Sequence, residues 1–75
     1  MSLNQNPHKP EQILSSKQIQ VERKTITVQR VENSRGQFLR IIEEYGNRRG
    51  MIVVPDTGVD DFQDAIDEVM PEGGA

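Results

Sequence analysis

Few side chains in this sequence are of a type that does covalent chemistry, and their spacing argues against it. A nucleophile needs a base within hydrogen-bond reach, yet Ser15 and Ser16 have no histidine near them in the chain. His8 is the only histidine and has no cysteine or second histidine close enough to share a metal ion. Glu43 and Glu44 are adjacent in a stretch with strand pattern, so their carboxylates point to opposite faces and cannot act as a pair. Asp60, Asp61, Asp64 and Asp67 include i,i+3 and i,i+4 pairs, which is the pattern of a solvated helical face. There is no GxGxxG or GxxxxGKS/T run to cradle a phosphate, and no cysteine for a disulfide or a thiolate site. The expectation is a protein with no catalytic residue, metal, cofactor or small-molecule substrate.

The side chains suited to binding are more concentrated. Asn33, Arg35, Phe38 and Arg40 fall within eight positions, and Arg23 and Lys24 precede them. An aromatic ring beside guanidinium groups on an open sheet is a platform for single strands, because a stacked base contributes about 1–3 kcal/mol and cations hold the phosphates. Strand alternation places Phe38 with Arg40, and with Thr25, Thr27 and Gln29 of the preceding segment, on the face away from Leu39 and Ile41. Arg48 and Arg49 extend the basic rim. A hydrophobic contact between subunits is the competing role for Phe38.

Four short segments must position these groups. Lys17 to Val21 alternates Ile19 and Val21 with Gln18 and Gln20. Thr25 to Val31 is rich in β-branched residues, with Ile26 and Val28 on one face. Gln37 to Tyr45 is the longest segment, and Met51 to Val54 is a fourth run closed by Pro55. Glu22 to Lys24 predicts a tight turn. Asn33 and Gly36, residues that tolerate positive φ, predict a second, and Gly46, Asn47 and Gly50 a third. After Pro55 the apolar period changes to that of a helix, with Val59, Phe62, Ile66, Val69 and Met70 in one stripe and Asp56 or Thr57 as its cap. The fold class is α+β: a four-stranded antiparallel sheet followed by one C-terminal helix. Residues 1–15 read as a disordered arm, 16–70 as the folded unit and 71–75 as a disordered tail.

The chain has 75 residues, of which 33% are apolar, against roughly 45–50% in an average domain. With three aromatics and no cysteine, the core is thin and unstapled, so a second chain is expected to complete it. No stretch approaches a membrane span and the start is polar, which predicts a soluble cytoplasmic protein. Charge divides unevenly: residues 1–50 carry +4 and residues 51–75 carry −7. The basic part suits a polyanion, although an acidic helix at the end of a soluble chain has no such implication.

The run Asn33, Ser34, Arg35, Gly36, Gln37, Phe38, Leu39, Arg40, Ile41 resembles the signature of PUR repeats, the units of the Pur-alpha family of single-stranded nucleic-acid-binding proteins. The similarity extends from about Ser16 to Val69, with Ser16 and Lys17 opening the first strand, Arg23 and Lys24 before the second, Glu43 in the third and Phe62 in the helix. The resemblance implies a ββββα unit of the bacterial single-repeat type that pairs with a second copy. It also implies purine-rich single strands bound beside the turn between strands two and three. Related sheet architectures occur in Whirly proteins and single-strand-binding coactivators, but the Asn-x-Arg-Gly-x-Phe run is of the PUR type. The family's Lys-x-Asn-x-Arg motif is matched by Asn33 and Arg35, and its stacking aromatic by Phe38. Val31 stands at the lysine position and Gln37 where a basic residue is common. Restoring a lysine at position 31 is accordingly expected to tighten binding.

Two functions follow. The first is a non-enzymatic module binding single-stranded DNA or RNA, with Arg23, Lys24, Asn33, Arg35, Phe38 and Arg40 on the strand and Val59, Phe62, Ile66 and Val69 in a homodimer interface. The second is a protein-interaction or dimerisation module on the same fold that has lost most of that binding.

Overall fold

The computed structural model describes residues 10–70. Four strands, β1 (Gln12–Val21), β2 (Lys24–Asn33), β3 (Gly36–Tyr45) and β4 (Arg48–Pro55), form one antiparallel sheet in the order β1-β2-β3-β4. A single 3-10 turn (Asp56–Gly58) leads into α1 (Val59–Val69). The meander follows from β-branched and alternating segments joined by two-residue turns.

Turn chemistry differs at the three corners. Glu22 and Gly46 open the first and third turns with φ of 56° and 61°, the left-handed conformation that such hairpins need. The third turn is only Gly46 and Asn47, and Gly50 lies within β4 opposite Glu43. At the second corner the left-handed position falls on Gly36, with φ of 129°, and not on Asn33. Asn33 contributes through its side chain instead: Oδ1 accepts the Arg35 backbone N–H at 2.8 Å. Nothing lies within 4 Å of a Cβ at position 36, so Gly36→Ala is expected to destabilise through backbone strain alone, by about 1–3 kcal/mol. A thermal melt of the variant measures this.

Strand β1 begins at Gln12, five residues earlier than the alternation suggests, so residues 12–15 belong to the sheet and not to a disordered arm. The cause is an irregularity between Ile13 and Ser15 in the pairing with β2, which breaks the period of two where Leu14 intervenes. Met1 to Lys9, with His8, and Pro71 to Ala75 lie outside the described residues.

Register assigns the faces. Ile26, Val28, Leu39, Ile41, Ile52 and Val54 share the face over which α1 runs, and Val59, Phe62 and Ile66 border a gap above Val28, Leu39 and Ile41. The other face carries Thr25, Thr27, Gln29, Val31, Phe38, Arg40 and Ile42. Contrary to the expectation of an open platform, this second face holds the most buried side chains: Val31 at 0% exposure, Ile42 at 8% and Thr27 at 9%. Long polar side chains close over it. Gln18 Nε2 donates to Thr27 Oγ1 at 3.3 Å, Thr25 Oγ1 to Gln20 Oε1 at 3.1 Å and Arg40 Nε to Gln29 Oε1 at 3.0 Å.

Helix α1 buries little. No residue of it is buried, Val59 and Phe62 are half-covered, and Ile66 and Val69 are 48% and 75% exposed. Its N-cap is Gly58, with no side-chain cap, so neither Asp56 nor Thr57 plays that role. Both sit in the 3-10 turn, where the Asp56 carboxylate instead accepts from Arg30 at 3.0 Å. No described helix is long and apolar enough to cross a membrane.

Candidate nucleic-acid interface

Four of the six expected binding residues converge. Asn33, Arg35, Phe38 and Arg40 line one groove of about 500 Å³ on the helix-free face, at the β2–β3 corner. The two-residue turn puts Arg35 at the corner, with Asn33 and Phe38 on the strands that flank it. Asn33 Oδ1 accepts from the turn backbone, so the amide nitrogen is the donor this side chain has left to offer a ligand. Phe38 is half-buried opposite Val31 on one side and Pro55 on the other, so one surface of the ring packs while the rest lines the groove. Met51, Val53 and Pro55 complete the apolar lining. The sequence shows Met51 to Val54 only as an apolar run closed by Pro55, and the β3–β4 register is what brings Met51, Val53 and Pro55 to the face of Phe38.

Arg23 and Lys24 lie elsewhere. They occupy the β1–β2 corner, nine residues along β2 from Asn33 or roughly 30 Å at strand spacing. Lys24 lies on the helix side, where its ammonium reaches Glu43 at 2.6 Å. The hydrogen bond and charge of Glu43 raise the Lys24 pKa above its ordinary value. A raised lysine pKa means the pair persists below that value and is lost only as pH climbs through it, so Lys24 stays charged through the neutral range. Arg49 faces Glu44 at 3.7 Å.

Arg40 is in the groove but is not a free cation. Its side chain is 16% exposed, with Nε held by Gln29 and Nη1 donating to Glu11 Oε1 at 3.0 Å. Glu11 lines the same groove. Sequence reading missed it because the strand that carries the alternation toward Glu11 is interrupted at Leu14. Arg30 points to the helix side, as alternation predicts: Nε donates to Gln37 Oε1 at 2.7 Å and Nη2 to Asp56 Oδ1. Neither Arg30 nor Gln37 therefore adds a cation to the face that carries Phe38, although Gln37 borders the groove at its corner. Among the described residues no cluster of His, Cys, Asp and Glu suits a metal ion.

The chain is an antiparallel four-stranded meander with a trailing helix, and one groove on its helix-free face brings an aromatic ring together with an amide and two guanidinium groups. Residues 1–75 match the family model described as PurA ssDNA and RNA-binding protein. The chain belongs to that family, the PUR domains of the Pur-alpha group. No curated protein matches it.

Proposed function

We propose that this PUR domain is a non-catalytic homodimer that binds single-stranded DNA or RNA, with a preference for purine-rich strands, in the Phe38 groove. The observation that carries this reading is the convergence of Phe38, Asn33 and Arg35 at one corner of the sheet. A base stacks on the ring, the Asn33 amide donates to a base or phosphate, and Arg35 pairs with the backbone.

A second chain is supported by how little one chain buries. Val31 and Ile42 are the buried apolar residues among those described, whereas Ile19, Val21, Ile52, Ile66 and Val69 are each at least 44% exposed. The apolar stripe of α1 and the uncovered part of the helix-side face are the surfaces a second copy would cover. The interaction-module reading keeps one specific support, namely that Arg40, Lys24 and Arg30 are already paired with carboxylates.

Substitutions separate the roles. Phe38→Ala is expected to weaken single-strand affinity by about 1–3 kcal/mol. Arg35→Ala should instead lower the slope of log affinity against log salt by about 0.7, the value for one phosphate contact on a single strand. Asp64→Ala, on the outer face of α1, should leave binding nearly unchanged. Fluorescence anisotropy with a purine-rich oligonucleotide at several salt concentrations measures all three. Loss of the dimer in Phe38→Ala would assign the ring to a subunit contact.

A further inference from the structure

We propose that Glu11 is a built-in competitor for the strand, holding Arg40 in the position a phosphate must take. This rests on the groove being the single-strand site. Register aligns Ile13, Val31, Phe38 and Pro55 as one row across the sheet. Arg40 stands two residues along β3 on one side of that row, and Glu11, two residues before Ile13, on the other. The 3.0 Å contact between them therefore spans the row that carries the ring.

The two ends of this contact are unequally held. Arg40 is largely buried, and Gln29 holds its Nε by a bond separate from the one to Glu11. Glu11 is 48% exposed and precedes the first residue paired in β1, so its side chain can leave without breaking the ladder. A phosphate oxygen arriving at Nη1 finds a guanidinium already oriented, and guanidinium pairs with phosphate at least as well as with carboxylate. Until it is displaced, the carboxylate beside Phe38 repels phosphates and neutralises the cation nearest the ring. A small anion gains one contact on displacing Glu11. A strand gains that contact together with stacking on Phe38, so Glu11 selects for ligands that bring both.

The test uses the full chain and a fluorescein-labelled purine-rich single strand at low salt, with Glu11→Gln made in the Arg40 and the Arg40→Gln backgrounds. Glu11→Gln should bind about three- to tenfold tighter than wild type, the range for removing a partly exposed pair and its repulsion of phosphate. In the Arg40→Gln background the same change should tighten binding by a clearly smaller factor, because the competitor then has nothing to hold and only its repulsion of phosphate is removed. Equal tightening in both backgrounds would reveal only a general charge effect and would overturn the proposal. So would wild-type binding that Glu11→Gln leaves unchanged or weakens, with the groove reading intact. Absence of binding in wild type and in every variant would overturn the groove reading itself, and the competitor with it.

Discussion

Phe62→Ala is expected to lower folding stability by about 3–5 kcal/mol, the range for an aromatic lost from a core, and to reduce the assembled mass in the same samples. Phe62 is the largest side chain of the α1 stripe and is only half-covered within its own chain. A monomeric helix losing a half-exposed ring would lose much less. The full effect requires that the rest of the ring be covered by a second copy, together with Ile66 and Val69. Because stability of such an assembly depends on protomer concentration, the wild-type melting temperature should rise with concentration, and the variant should melt lower at every concentration. Sedimentation at micromolar concentration should give about twice the chain mass for wild type. A wild-type monomer with a concentration-independent melt would contradict the assembly.

Val31→Lys is the second large effect, and it falls on folding stability, set against the tighter binding that the family motif leads one to expect. Val31 stands where the motif has a lysine, which suggests a missing cation that a substitution restores. In the structure Val31 has no accessible surface and sits between Ile13 and Phe38 in the central row of the face. A lysine there either buries an ammonium or forces the row apart. The cost is expected to be about 3 kcal/mol or more, since an uncompensated buried charge is among the most destabilising changes. Val31→Ala, which loses volume without adding charge, is the control and should cost less. Urea unfolding of both variants measures the difference, and a Val31→Lys variant as stable as wild type would show that the side chain escapes to solvent.

The alternation of Ile26 and Val28 with Thr25, Thr27 and Gln29, and of Leu39 and Ile41 with Phe38, Arg40 and Ile42, made the two faces of β2 and β3 legible. A change of period after Pro55 made α1 legible, and the Asn33 to Phe38 run the groove's polar corner. The start of β1 was not legible, because the irregularity at Leu14 puts Ile13 and Leu14 side by side in sequence and erases the period. Burial was misjudged for a different reason. Alternation tells which residues share a face, but not that Gln18, Gln29, Arg40 and Glu11 fold across it. Ion pairs between residues 29 positions apart, such as Arg40 with Glu11, leave no spacing signal. The separation of Arg23 and Lys24 from Arg35 likewise depends on strand length, since a ten-residue strand carries its two corners to opposite ends of the sheet along the strand direction.

The central claim is that the Phe38 groove binds single strands, and titration of the wild-type protein tests it most directly. A labelled purine-rich strand would be titrated alone and as a duplex with its complement, at low and at moderate salt. The account predicts saturable binding of the single strand that weakens with salt, and much weaker binding of the duplex, whose bases cannot unstack onto Phe38. No single-strand binding at low salt, or equal affinity for the duplex, would contradict it.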